Sequence, residues 1–250
     1  MSKSTGVEIC APVGGPCHDG GVQTLVLWDI DLTLVDYSGI GRKWYAEALA
    51  NVVGKQLDHL PTFPGRTERS LAKELLAAHG FASGDEEVER IFAELEAIAL
   101  AARTSLPTMG RALPGAAEIL ATLRGRDDVV QSLVTGNLPA LATYKLEAFD
   151  LHHHVDFEIG GYGSLSEHRH DLVEAAIAQA SAKHGVSFEP RSVVVIGDTP
   201  ADVEAGLHHG TVTVGVATGR HSVDQLADSG ADVVLPDLAD TPTVLKALLH

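Results

Sequence analysis

The amino-acid sequence predicts an α/β protein, a doubly wound parallel sheet carrying an all-helical domain inserted after its first strand. Three observations lead there. Short, nearly continuous apolar runs rich in Val recur along the chain. Helical stretches punctuated by Pro and Gly separate them, and one gap between runs is too long for a single crossover. Strands covered on both faces read as unbroken apolar runs, whereas half-exposed strands alternate.

Taken in order, residues 1 to 21 include the Gly/Pro-rich "CAPVGGPCHDGG" and are expected to form a flexible arm. Cys10 and Cys17, the only cysteines, fit no four-ligand metal pattern, and a reducing compartment is expected. The first run, "LVLW" at 25 to 28, opens a core spanning 22–37 and 111–250. About 90 residues then pass before the second run, where most connections between elements are only a few residues long. Within them Trp44, Tyr45, Ala48, Leu49, Val52 and Val53 fall on one helical face, as do Val88, Ile91, Phe92, Leu95 and Ile98. No alternating pattern interrupts residues 38–110, which are therefore expected to be helical throughout.

The later runs are "VVQSLV" (129–134), "VDFEI" (155–159), "SVVVI" (192–196), "TVTVGV" (211–216) and "ADVVL" (231–235), each expected to be a strand. Between them, "LPGAAEILATLRG" places Pro114 near a helix start and Gly125 past its end. "TPADVEAGLHHG" offers Thr199 as N-cap, Pro200 at the first helical position and Gly210 as the stop.

The chain's 250 residues can bury a large core, and 45% hydrophobic with 21% charged residues excludes wholesale disorder. A formal net charge of −16 argues against a nucleic-acid or anionic-membrane binder, since phosphate surfaces are held by clustered Lys and Arg. A small phosphorylated ligand stays open, because a bound cation inverts the local potential of an acidic site. No stretch approaches the roughly 20 apolar residues of a membrane span, and no signal-peptide segment is visible, so a cytoplasmic location is expected.

Polar residues gather where strands end. Asp29 and Asp31 follow the first strand in "LVLWDIDLTLVD", Thr135, Gly136 and Asn137 follow the second in "LVTGNLP", and Asp198 and Asp202 follow another in "VVVIGDTPADVE". Each alone reads equally well as a cap or turn residue. Ligands of open parallel sheets, however, bind outside the carboxyl ends of the strands, and three such coincidences point to a site. Converging carboxylates repel unless a cation neutralises them, and an all-oxygen donor set selects a hard ion such as Mg2+.

"DIDLT" (29–33), "LVTGN" (133–137), a downstream basic residue and "GDTPAD" (197–202) resemble the four motifs of the haloacid dehalogenase (HAD) superfamily of phosphohydrolases. The resemblance spans Val22 to about Pro236 and implies a HAD-like Rossmannoid core. The helical insertion resembles the C1 cap of the phosphoglycolate phosphatase and β-phosphoglucomutase branch. It implies a Mg2+-dependent phosphatase acting on a small phosphomonoester, phosphoglycolate-like or sugar-phosphate-like, through an aspartyl-phosphate. Asp29 is implied as nucleophile and Asp31 as the acid and base, with Mg2+ on Asp29, the backbone carbonyl of Asp31 and Asp198, and with Asp202 behind the ion. Thr135, Gly136 and Asn137 are implied to hold phosphoryl oxygens.

Two departures from the family pattern stand out. "EHRHDL" (167–172) offers Arg169 where many relatives have lysine, and Lys145 in "TYKLEAF" is favoured over it as the phosphate-cradling charge. Leu32 stands where relatives usually have glycine. In the insertion, "FPGRTERSL" (63–71) resembles the cap loop that faces the site, so Arg66, Thr67 and Arg69 are expected to contact the leaving group, a capped helix start with solvated arginines being the alternative. "HHH" at 152–154 is expected to be a solvated loop, and His208 and His209 surface residues at a helix end. Asp31 argues against dehalogenase and phosphonate-hydrolase chemistry. A phosphomutase using the same residues, and a non-catalytic phospho-ligand-binding module, remain the alternatives.

Overall fold

The computed structural model describes residues 24–249; the expected N-terminal arm and the Cys10 and Cys17 pair lie outside the described residues. In chain order the elements are β1 (Thr24–Trp28), β2 (Val35–Asp36), α1 (Ile40–Val53), α2 (Glu68–Ala78), α3 (Asp85–Ala102), α4 (Leu106–Met109), β3 (Arg111–Ala112), α5 (Ala116–Arg124) and β4 (Val129–Thr135). Then come α6 (Pro139–Glu147), β5 (Gly161–Tyr162), α7 (Arg169–His184), β6 (Val193–Gly197), α8 (Pro200–His208), β7 (Val212–Val216), α9 (Val223–Asp228), β8 (Val233–Leu235) and α10 (Thr241–Leu248).

Six strands form one parallel sheet in the order β5-β4-β1-β6-β7-β8. From β1 the chain moves to β4 and β5 on one side, then returns to β6, β7 and β8 on the other. The direction thus reverses at β1, and a crevice opens at the carboxyl ends of β1, β4 and β6. Side chains of β1 alternate between two fully buried layers. Leu25 and Leu27 pack with Leu172, Val173 and Ala205 on the α7 and α8 face, while Val26 and Trp28 pack with Ile119 and Leu120 of α5 on the other. Burial on both faces is why these strands carry no polar alternation.

Between β1 and β4, α1, α2 and α3 supply most of the secondary structure. The apolar stripe expected on α1 is buried at Trp44, Tyr45, Ala48 and Leu49, and that of α3 at Val88, Ile91, Phe92, Leu95 and Ile98. The chain leaves and re-enters the core through β2 and β3, paired antiparallel with Val35 opposite Ala112 and Asp36 opposite Arg111. An ion pair between Arg111 Nη2 and Asp36 Oδ2, 2.8 Å, sits on this short ribbon.

One strand expectation is corrected. "VDFEI" forms a 3-10 turn, Phe157–Ile159, capped by Asp156, whose side chain accepts from the Glu158 N–H at 3.0 Å. The chain here crosses the sheet edge instead of running along it. Asp156 N donates to Gln131 O at 2.9 Å, Ser132 Oγ donates to Asp156 O at 2.6 Å, and only Gly161–Tyr162 then pairs with β4. His152–His154 likewise forms a 3-10 turn instead of an open loop.

Candidate active site

The crevice at the strand ends is roofed by the helical segment and encloses about 360 Å³. Asp29, Asp31, Thr135, Lys145, Arg169 and Asp198 line its floor. They arrive there for one reason: each sits on or just beyond the carboxyl end of β1, β4 or β6, or on the first helix that follows and packs back over it.

Asp29 is buried, and Arg169 Nη2 lies 2.7 Å from its Oδ1. The same nitrogen reaches Asp202 Oδ1 at 2.5 Å and Val134 O at 3.3 Å. Arg169 opens the buried face of α7, ahead of Leu172, Val173, Ala176 and Ala180, and that face presses its guanidinium under the strand ends. Its Nε is buried with no partner among the described residues.

Asp31 is held from the opposite side. Lys145 Nζ stands 2.8 Å from Asp31 Oδ1 and 2.6 Å from Oδ2, and Asn137 Nδ2 donates to Oδ2 at 2.8 Å. Lys145 also donates to Asn137 Oδ1 at 2.7 Å. The expected preference for Lys145 over Arg169 as the phosphate-cradling charge is therefore revised: Arg169 is the cation on Asp29, and Lys145 is the cation on Asp31. Thr135, fully buried, accepts from Asn137 Nδ2 at 2.8 Å, which leaves its own hydroxyl proton to donate elsewhere.

Carboxylate oxygens of Asp29, Asp198 and Asp202 all lie within 4.8 Å of one another. Burial pushes the Asp29 carboxyl up to about 7 against the pull of Arg169, with Asp202 and Asp31 adding to the rise. Burial, then the charges of Asp202 and Asp29, push Asp198 up to about 9. Burial works against the Arg169 charge, but Asp202 and Asp29 override it and hold its pKa above the usual value. Three carboxylates sharing one arginine remain undercharged on the positive side, and an all-oxygen donor set of this kind fits a hard divalent cation.

Asp202 is not free to join such a set. Its Oδ2 accepts from Thr199 N at 3.0 Å and Thr199 Oγ1 at 2.6 Å in the capping box of α8, and its Oδ1 is taken by Arg169. Asp29 and Asp198 are the carboxylates left to face an ion.

The helical roof differs from expectation. Of Arg66, Thr67 and Arg69, only Arg66 borders the cavity, and its guanidinium is occupied by Ser70 Oγ at 2.9 Å and Glu74 Oε2 at 2.9 Å. Thr67 is instead the N-cap of α2, accepting from Ser70 N at 3.2 Å. Arg69 is turned outward to Ser164 O at 2.7 Å, Asp85 at 2.8 Å and Glu89 at 2.9 Å. Glu68, which the motif reading passed over, is the buried acid of this loop. It lines the cavity, accepts a hydrogen bond from Tyr45 Oη, and is pushed up to about 7 by burial. Helical periodicity carries the signal: Glu68, Leu71, Ala72, Leu75 and Leu76 share one face of α2.

Roof and floor meet backbone to backbone. Glu68 N donates to Gly136 O and Arg69 N to Gly163 O, each at 2.9 Å. A Cβ on Gly136 would stand 2.1 Å from Arg66 O, and one on Gly163 would stand 1.7 Å from Gly136 O, so neither position accepts a side chain without parting the two layers.

Solved structures of the same fold include a hydrolase from Pseudomonas syringae, 23% identical over 91% of this chain and 100% of that one, with a TM-score of 0.62. A predicted phosphoglycolate phosphatase from Haemophilus somnus 129pt is 20% identical over 90% of this chain and 98% of that one, TM-score 0.64. A β-phosphoglucomutase from Clostridium difficile is 14% identical over 91% and 97%, TM-score 0.66. At these identities the likeness is one of fold. No curated protein matches the chain. Residues 26–206 match the family of haloacid dehalogenase-like hydrolases, a span that runs from β1 through the helical insertion and the strand-end carboxylates into α8. The chain belongs to the haloacid dehalogenase-like hydrolase family, in its branch with a helical cap between the first and second motifs.

Proposed function

We propose that the protein is a Mg2+-dependent phosphatase that hydrolyses a small phosphomonoester in two displacements. The observation that carries this reading is that Asp29, Asp31, Thr135 and Asp198, from three separate strand ends, border one enclosed cavity. Relatives of the same fold described as phosphatases and phosphoglucomutases agree with it.

Asp29 attacks phosphorus through Oδ2, the oxygen that Arg169 leaves uncovered. The bond from phosphorus to the leaving oxygen breaks as the bond to Asp29 forms, and Asp31 supplies the proton that the departing alkoxide needs. Water then attacks the aspartyl-phosphate, giving its proton to Asp31, and Asp29 is regenerated with release of inorganic phosphate. Thr135 Oγ, the N–H of Gly136 and the side chain of Asn137 hold the phosphoryl oxygens, while Arg169 keeps the buried charge on Asp29 and Asp202 compensated. Asp29, Asp198 and the Asp31 carbonyl would hold Mg2+, which neutralises charge on the transferring group when bound. The helical roof keeps bulk water from the acyl phosphate.

The test is release of phosphate from 4-nitrophenyl phosphate with Mg2+ and after chelation. Chelation should abolish release, and Asp29→Asn should lower it at least about 10³-fold. A variant at this position that turns over at the wild-type rate would refute the assigned nucleophile.

A further inference from the structure

The roof of the cavity carries chemistry that the phosphoryl-transfer floor does not use. Ile40, Trp44, Leu60, Phe63, Leu71 and Leu95 form an apolar wall, and Glu68 is set into it. Glu68 Oε2 is taken by the Tyr45 hydroxyl, and Tyr45 is itself fixed edge-on against Phe63 with ring centroids 5.5 Å apart. No donor among the described residues reaches Glu68 Oε1. A buried carboxyl oxygen facing a ligand cavity is an acceptor waiting for a donor, because leaving it unpaired in an apolar setting is costly.

The cations nearby cannot fill that role. Lys145 is committed to Asp31 and Asn137, Arg66 to Ser70 and Glu74, and Arg169 to Asp29 and Asp202. Arg42 and Arg220 border the cavity but are exposed to solvent at its mouth. The interior thus presents hydrocarbon, one acceptor and no unpaired positive charge among the described residues.

Resting on the phosphatase reading, we propose that the roof selects a phosphate ester whose alcohol is a hydrocarbon body carrying one hydrogen-bond donor, an amine or a hydroxyl, that Glu68 accepts. A sugar places a hydroxyl on nearly every carbon, and most of these would be stripped of water against the apolar wall without partners. The carboxylate of a phosphoglycolate-like substrate would meet Glu68, a like charge. A volume of about 360 Å³ holds about a dozen waters' worth of liquid, enough for a phosphoryl group and a short chain or single ring.

The experiment compares primary alkyl esters of matched leaving-group reactivity in the presence of Mg2+: 4-aminobutyl, 4-hydroxybutyl and pentyl phosphate, with glucose 6-phosphate and 2-phosphoglycolate. The expected result is a kcat/KM for at least one donor-bearing ester about 10-fold or more above pentyl phosphate. Pentyl phosphate should in turn exceed both polar esters by a similar factor. In Glu68→Gln the ratio of donor-bearing to pentyl ester should fall toward one, with Tyr45→Phe moving it in the same direction. A preference for glucose 6-phosphate or phosphoglycolate overturns the proposal, and so does a donor-to-pentyl ratio unchanged by Glu68→Gln. If no ester is hydrolysed, the phosphatase reading fails separately. The same five esters are then ranked by the thermal shift each produces, and that ranking must show the same order and the same dependence on Glu68 for the inference to stand.

Discussion

Arg169 Nη2 lies 2.7 Å from Asp29 Oδ1 inside the protein, and the same nitrogen bridges to Asp202, so one planar cation ties the first motif to the fourth. A lysine ammonium is a compact point charge on a flexible stem and does not reproduce that bridge. Arg169→Lys is expected to fold and to lose at least about 10-fold in kcat on 4-nitrophenyl phosphate. Arg169→Met strands buried carboxylates without their partner and should cost about 3–5 kcal/mol in metal-free urea unfolding, part of it recovered on adding Mg2+. Equal metal-free stability of wild type and Arg169→Met would contradict the bridge.

Lys145 orients Asp31 by contacting both of its oxygens and also satisfies Asn137 Oδ1. Lys145→Met should slow hydrolysis of alkyl phosphates by about 10² or more while slowing 4-nitrophenyl phosphate less, because a nitrophenolate departs without a proton. A uniform loss across both substrates would place Lys145 on the phosphoryl group itself.

Glu68 gives a pH signature. Burial raises its pKa from the ordinary value to about 7, so between about 4.5 and 7 the folded protein retains a proton that the unfolded chain has shed. Folding stability from this group is therefore greatest at low pH, declines as pH rises across that window, and is level above it. Glu68→Gln lacks the titration. Urea midpoints of the two proteins, compared at pH 5 and pH 8, should shift in favour of the variant at the higher pH; parallel values would rule the shift out.

Leu32 adopts φ 63°, a left-handed backbone that Thr218 Oγ1 braces by donating to Leu32 O at 2.5 Å. A side chain there costs about 1–2 kcal/mol relative to glycine. Leu32→Gly should be more stable than Leu32→Ala by about 1 kcal/mol in denaturant melts, both variants having lost the same cavity-lining methyl groups. Equal stability of the pair would show that the backbone relaxes.

Much of this was legible in the sequence. The buried strands announced themselves as Val-rich runs, and Thr199 and Pro200 marked the start of α8, because those signals are local. "VDFEI" misled because its apolar alternation is real while its hydrogen bonds go to Gln131 and Ser132 at the sheet edge, a tertiary fact. The roles of Lys145 and Arg169 could not be ranked from spacing. Both lie on the buried faces of their helices, and which carboxylate each meets depends on where α6 and α7 settle on the sheet. Glu68 was readable from the period of α2, but a glutamate in a first helical turn also reads as a simple partner of the helix dipole.

The join at Gly136 and Gly163 is made of main chain alone, so ordinary side-chain drift elsewhere in the loop leaves it intact. Each round of catalysis has to unfasten two amide contacts before the next ester can enter. A tethered phosphate on the surface of another macromolecule would hold that lid ajar and admit solvent, which confines the enzyme's diet to free metabolites small enough to be shut in whole.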